Sequence, residues 1–295
     1  MTLADFRRRL FSRFNRHAEI RAGWYLTLPL AYCLCLGVFY FVYGRLLQFL
    51  PLVFFFTVIP VLALAGPSRG LLKYWTPLVL ILLSYEALAG TIGAIAASDG
   101  VTSLYALDMS IWKFNLTGWV QSTFSWPPLT TLATLLYAVH MPLVAVTAGA
   151  VWFLRKDYFG KYVTAMALTS YSALATFILF PTSPPWYAGA AANLLQGSSA
   201  SAVSTSFAWL TNLVESDTFA AFPSLHGAYA VIFCYFMLKL DRRLGLVAIP
   251  VTFGILFSTL YLGQHYLIDL LGGAVYALVP CLISERFQIF NVKQA

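Results

Sequence analysis

The sequence predicts an all-α, polytopic membrane protein: a helical bundle of about eight transmembrane helices. Three observations carry this. The 295 residues are 60% hydrophobic and 10% charged, whereas a soluble domain carries about 25% charged residues. Uncharged apolar runs near the ~20-residue length of a bilayer crossing recur along the chain, and no β-barrel alternation is visible. The cations are also distributed as a threaded chain requires. With the N-terminus in the cytoplasm and eight crossings, 16 of the 18 Lys and Arg fall on the cytoplasmic side, leaving Arg45 and Lys113 outside. The net charge of +7 is therefore a topology signal. Dispersed over short membrane-flanking loops, it makes no nucleic-acid surface.

Residues 1–23 form a basic cytoplasmic arm. Leu3, Phe6, Leu10 and Phe14 recur at helical spacing among arginines, as in an amphipathic helix lying on the membrane surface. Residues 24–97 hold three N-terminal transmembrane helices, about 24–44, 48–66 and 75–97. The first is too long, and lacks the small-residue cleavage site, to be a signal peptide. Glu86, in the middle of the third, must face the protein interior, paired or protonated. Residues 98–128 form an extracytoplasmic interfacial loop, marked by Trp112, Phe114, Trp119, Phe124 and Trp126. Asp108 and Lys113 in this loop are candidate contacts for a polar head group, and Asn115-Leu-Thr117 fits a glycosylation acceptor pattern.

Five more spans follow, about 129–153, 162–181, 222–240, 244–263 and 265–284, and residues 285–295 form a cytoplasmic tail. His140 reads as an interhelical hydrogen-bond donor. Cys33, Cys35, Cys234 and Cys281 read as small buried hydrophobes. The second long outside loop, 182–221, begins with Thr182-Ser-Pro-Pro-Trp-Tyr187, a stiff turn. Its Ala-, Ser- and Gly-rich remainder is expected to be a mobile cover.

Two stretches hold the chemistry. In Ser258-Thr-Leu-Tyr-Leu-Gly-Gln-His-Tyr-Leu-Ile-Asp269, His265 and Asp269 are four apart and share one helix face. A carboxylate there fixes the imidazole tautomer and makes the other ring nitrogen a better base or nucleophile. A purely structural reading exists beside this: a His–Asp pair that holds helices together. In Phe222-Pro-Ser-Leu-His226, Pro223 suits a first helical turn and Ser224 suits a cap. This predicts an outer helix N-terminus, which is an anion site, with His226 inside it. Both histidines then lie at one membrane face, a constellation suited to phosphoryl transfer.

These motifs resemble the type-2 phosphatidic acid phosphatase superfamily. Its motifs read Pro-Ser-Gly-His and, downstream, Ser-Arg, five residues, His, three residues, Asp. Here Pro223-Ser-Leu-His226 is followed by Ser258-Thr259, five residues, His265, three residues and Asp269. The motif region covers about 162–284, and the resemblance implies a catalytic core over residues 129–284. It implies that His265 is the nucleophile, forming a phosphohistidine, that Asp269 orients it, and that His226 protonates the leaving group. It implies no metal and no other cofactor. Ser224, Ser258, Thr259 and Tyr187 join Asp108 and Lys113 as candidate substrate-binding residues.

Thr259 stands where the phosphatases carry Arg, and Leu225 replaces Gly. The first phosphatase motif, Lys, six residues, Arg-Pro, is replaced by Phe180-Pro-Thr-Ser-Pro-Pro-Trp-Tyr187. In these departures the chain is similar to the inositol phosphorylceramide synthase branch. That branch implies transfer of a phosphoinositol-like head group from a phospholipid donor to a lipid or alcohol acceptor. The cation distribution and span directions put the active site on the extracytoplasmic face, and the expected location is the plasma membrane. The alternatives are a lipid phosphate phosphatase acting on phosphatidic acid or a polyprenyl diphosphate, and a non-enzymatic transporter or scaffold. The transporter reading wants inverted repeats or broken helices at midplane, and the polar cluster sits at the face instead.

Overall fold

The structure is a computed structural model that describes residues 100–195 and 218–289, with scattered positions from 74 to 92. The basic arm, the first two expected spans, most of the third, Arg45 and Glu86 lie outside the described residues. In order, the elements are β1 (Thr102–Ser103), α1 (Tyr105–Trp112), α2 (Leu116–Thr123), α3 (Pro127–Leu154), α4 (Phe159–Leu179), β2 (Thr182–Ser183), α5 (Leu225–Leu240), α6 (Arg242–Tyr261) and α7 (Leu267–Arg286).

The described residues are mostly helical, and β1 and β2 add to the all-α expectation a parallel pair, Thr102 opposite Thr182 and Ser103 opposite Ser183. This pair, with the Thr182–Ala220 bridge, ties the segment 98–128 to the segment 182–221. Residues 98–128 fold as two short helices, α1 and α2, instead of an open loop.

Helices α3 to α7 fall within a few residues of the last five expected spans. The run Lys156–Leu179, α6 and α7 are each long and apolar enough to cross a membrane. The halves of α3, Pro127–His140 and Pro142–Leu154, meet that test together and are bent by 53°. Pro142 is the cause, since it lacks the N–H of the helical ladder and its ring clashes with the preceding turn. Helix α5 is shorter, 16 residues; at about 1.5 Å per residue it runs about 24 Å. The described residues thus carry three to four full spans plus α5.

Helix starts follow from local chemistry. Pro127 and Pro128 open α3, where a missing N–H costs nothing. Ser224 caps α5, accepting from Gly227 N–H at 3.2 Å. Asp241 caps α6, accepting from Arg243 N–H at 2.8 Å. Pro223 does not enter the first helical turn as its residue type suggests: it precedes the cap, and the Phe222–Pro223 peptide is cis.

The bundle packs around α5, which contacts α3, α4, α6 and α7. Between apolar helices in lipid, close packing and hydrogen bonds hold more than hydrophobic exclusion does. Tyr162, Phe159, Phe236 and Ile232 fill the centre. Two glycines bring α7 against the start of α5: a Cβ on Gly272 would strike the Phe222 ring, and one on Gly273 would strike the Ser224 carbonyl. At the opposite end of the same helices, Glu285 binds Lys161 from α4 and, from α5, Lys239 at 3.1 Å and the Tyr235 hydroxyl at 2.7 Å. Cys234 and Cys281 are free thiols inside the bundle.

Candidate active site

His226 occupies the second position of α5. His265 closes the turn between α6 and α7. That turn is built by the Thr259 carbonyl, which accepts from Gln264 N–H at 3.0 Å and His265 N–H at 3.3 Å. It also needs Gly263 at φ +77°, where a Cβ would strike the Ala192 carbonyl. Asp269 lies in the first turn of α7 and accepts from Tyr266 N–H at 2.8 Å, so it also caps its own helix. Its carbonyl accepts from Ser224 N–H at 3.0 Å, which fixes the start of α5 against the start of α7.

The three side chains fall in line. His265 Nε2 is 3.4 Å from His226 Nδ1, and His265 Nδ1 is 3.6 Å from Asp269 Oδ2. The second distance is an ion-pair contact and longer than a hydrogen bond. All three residues are buried or nearly so, Asp269 fully. His226 Nε2, His265 Nδ1 and Asp269 Oδ1 are buried without a hydrogen-bond partner among the described residues. Several such atoms in one place mark a site whose polar capacity is reserved for something else.

The other candidates divide. Ser224 sits at the site, its hydroxyl engaged as the cap of α5. Ser258 Oγ donates to the Ile255 carbonyl at 2.7 Å and Thr259 Oγ1 to the Leu256 carbonyl at 2.8 Å. Their hydrogens are therefore taken by their own helix, and only the oxygen lone pairs remain to meet a ligand. Asp108 is buried and accepts from Trp112 Nε1 at 3.1 Å and Ile268 N–H at 3.4 Å, so it braces the N-terminus of α7. Burial pushes its carboxyl up from its usual value, against the lowering effect of those two donors. Lys113 is exposed at the C-terminus of α1, in the left-handed conformation at φ 67°. Tyr187 is 53% exposed, edge-on to Trp186 and Phe219.

The start of the 182–221 segment is fastened, while residues 196–217, where most of the expected mobile cover lies, are outside the described residues. Gln121 exchanges bonds with the Ala192 backbone at 2.8 and 2.9 Å and donates to the Tyr261 carbonyl at 2.9 Å. Gln264, beside the nucleophile candidate, accepts from Trp186 Nε1 at 3.1 Å and donates to Asn193 at 3.0 Å. Asn115 caps α2 and donates its amide to the Ala190 carbonyl at 2.6 Å, so the nitrogen that a glycan would take is occupied.

Sequence reasoning missed a second layer around His226. Tyr137 stacks on its ring at 4.2 Å between centroids, and His140 lies at 3.8 Å. His140 does not donate between helices as its position suggested: its Nδ1 bonds the Tyr137 carbonyl of its own helix at 2.8 Å. The available signal was the Tyr137–His140 spacing of three, which puts both on one helix face. Among the described residues no set of three His, Cys, Asp or Glu side chains is arranged to hold a metal ion.

The PAP2 superfamily model matches residues 102–283. The chain is similar to the inositol phosphorylceramide synthase catalytic subunit aur1 of Schizosaccharomyces pombe, 26% identical over 121 residues, 37% of this chain and 29% of that protein. It is 38% identical over 64 residues to the inositol phosphorylceramide synthase of Candida albicans, 22% of this chain and 14% of that one. It is 25% identical over 248 residues to the phosphoinositol dihydroceramide synthase of Bacteroides thetaiotaomicron, 76% of this chain and 80% of that protein. The chain thus spans less than a third of the two fungal relatives in these matches and four-fifths of the bacterial one. No solved structure matches it.

Proposed function

Because the chain belongs to the PAP2 superfamily, in the branch similar to inositol phosphorylceramide synthases, we propose that it is a membrane enzyme acting on lipid phosphates, and specifically a phosphotransferase. In this reading it moves a phosphorylated head group from a phospholipid to a lipid or alcohol acceptor. His265 Nε2 attacks phosphorus, His226 protonates the departing oxygen, and the acceptor hydroxyl then takes the phosphoryl group from His265. Asp269 holds the proton on His265 Nδ1, which keeps Nε2 as a lone-pair donor. The names of the relatives support a phosphoinositol head group, and a ceramide-class lipid among the acceptors to be tried.

The supporting observation is the alignment of Asp269, His265 and His226 at the α5 N-terminus, with no Lys or Arg in an ion pair to any of them among the described residues. A phosphate monoester carries about −1.5 to −2 charges near neutral pH, and a fixed cation is the usual way to hold the second. A diester carries one charge. The helix N-terminal N–H groups and a protonated His226 balance one charge; two would need the Arg that Thr259 replaces. The 3.4 Å between the two histidine nitrogens is too short for a phosphoryl group in line between them. Near attack needs ~3–3.5 Å from nitrogen to phosphorus, and proton donation needs ~2.6–3.2 Å to the leaving oxygen. Substrate binding must therefore part the two rings.

The site faces the extracytoplasmic side of the plasma membrane in this reading, motivated by the cation distribution. A cysteine placed at Ser199 should label from outside sealed cells and one near Lys293 only after permeabilisation; labelling of both from one side would overturn the orientation. The reaction is tested with purified protein in vesicles holding labelled phosphatidylinositol, phosphatidic acid or a polyprenyl diphosphate. A new phospholipid from the diester, with slow release of inorganic phosphate, is expected. Fast phosphate release that Lys113→Ala eliminates, without any transfer product, would decide for a phosphatase.

A further inference from the structure

Residues 184–195 include no Asp, Glu, Lys or Arg, and neutral amides hold them down along their length. Asn115 Nδ2 donates to the Ala190 carbonyl at 2.6 Å. Gln121 brackets Ala192, donating to its carbonyl at 2.8 Å and accepting from its N–H at 2.9 Å. Gln264, 7% exposed, accepts from Trp186 Nε1 at 3.1 Å and donates to Asn193 Oδ1 at 3.0 Å. The Trp186 and Leu194 N–H groups donate to the Gly263 and Leu262 carbonyls at 3.2 and 3.3 Å. The seat on 262–264 is the turn that presents His265. At the far end of the segment, Leu195 is buried in one cluster with Tyr137, Leu262 and Leu270, and Tyr137 is the ring stacked on His226. Residues 184–195 thus run as a strap from the neighbour of one catalytic histidine to the ring that backs the other.

A buried amide carries its full desolvation penalty unless its partners are in place, so Gln264 and the strap fix each other. Gly263 permits the close approach: a Cβ there would lie 2.4 Å from the Ala192 carbonyl oxygen. A phosphohistidine at His265 has two chemically similar acceptors, an alcohol and water. His226 can take the proton of either, so the residues in line do not choose between them. Access does. We propose that residues 184–195 set acceptor specificity by keeping water from the phosphohistidine, and that Gln264 is the positioning residue that holds this strap in place. This rests on the phosphotransfer reading above. In transfer, the bond from acceptor oxygen to phosphorus forms as the bond from phosphorus to His265 Nε2 breaks. The electron pair returns to Nε2, and the acceptor's proton goes to His226. Water in the acceptor's place undergoes the same bond changes and releases the free phosphorylated head group. A strap held by neutral amides closes the site without bringing a charged, hydrated side chain to it.

The test uses the full-length protein in vesicles with inositol-labelled phosphatidylinositol as donor and a ceramide or a long-chain alcohol as acceptor. Two products of one intermediate are measured: water-soluble inositol phosphate and phosphoinositol on the acceptor. Their ratio does not depend on how much of the protein is folded. Gln264→Met, which keeps the side-chain length without donor or acceptor, should raise the hydrolysis-to-transfer ratio by roughly tenfold or more. Trp186→Phe, which removes the indole N–H and keeps an aromatic ring, should raise it by less, and decides alone if Gln264→Met does not fold. A ratio unchanged in the folded variants overturns the proposal, whatever happens to turnover, and leaves the strap a packing element. Hydrogen exchange at the Ala192 and Leu194 N–H groups gives a readout independent of turnover. Faster exchange is expected in Gln264→Met, and unchanged exchange overturns the positioning role. The wild-type protein separates this proposal from the reading beneath it. If it makes no phosphoinositol product on either acceptor, the phosphotransfer reading fails first, and the proposal with it; wild-type transfer with unchanged ratios in the variants overturns the proposal alone.

Discussion

The two ends of α5 and α7, roughly 20 Å apart, both gather charged or titratable side chains, and they are built in opposite ways. At one end Glu285 is fully engaged: Lys161 on one oxygen, Lys239 and the Tyr235 hydroxyl on the other. At the other end His226, His265 and Asp269 lie in line, with a polar atom on each left without a partner among the described residues. A satisfied network clasps helices together. A buried network with unfilled donors and acceptors is less stable than it would be if completed, and it completes itself on a ligand. The contrast separates what holds this fold from what the fold holds in readiness.

Substitutions at the two ends should therefore fail differently. The largest effect is expected for His265→Ala, which should drop turnover to background while the melting temperature stays within a few degrees, measured by transfer assay and thermal unfolding. His226→Ala should follow, slowing transfer from an alkyl-leaving donor by ~10²–10⁴-fold while still forming phospho-enzyme from a p-nitrophenyl donor. Gly273→Ala tests the junction between α7 and α5. Its methyl would strike the Ser224 carbonyl, so a loss of about 1–3 kcal/mol and roughly tenfold in kcat from a displaced His226 is expected. At the clasp the order reverses: Glu285→Ala should remove about 1–3 kcal/mol and change kcat less than threefold. The lower half of that range is favoured because the Lys239 side chain is 41% exposed. A Glu285→Ala protein of normal stability but dead in transfer would erase the comparison.

The smallest effect concerns Asp108. Burial raises its carboxyl in the folded state, so the fold binds that proton more tightly than the unfolded chain does. Its contribution to stability is greatest below the unfolded carboxylate value, near pH 4. It falls as pH rises through the raised folded value. Asp108→Asn should flatten the stability profile in that acid window, measured by unfolding against pH; an unchanged profile would show that Asp108 titrates normally.

The placement of α3 to α7 and the pairing of His265 with Asp269 were legible because they rest on local rules. Apolar length locates α3 to α7 within a few residues, Ser224 reads as a cap, and the spacing of four puts His265 and Asp269 on one face. What was not legible depends on contacts distant in sequence. Asp108 meets Ile268 across 160 residues, and Gln121 meets Tyr261 across 140; no periodicity encodes either. His140 was visible as a buried histidine, but its meaning needed the packing of α3 on α5 that brings the His226 ring to it. Asp269 hid a second role, because the N–H it accepts belongs to the backbone of Tyr266, a residue type that is not a usual cap.

The central claim is that His265 carries the phosphoryl group between donor and acceptor. Rapid-quench trapping with a donor labelled on phosphorus, followed by peptide mapping, tests it most directly. The account predicts label on His265 that forms without acceptor, disappears when acceptor is added, and is absent in His265→Ala. Label on another residue, or normal transfer by the His265→Ala protein, would contradict it.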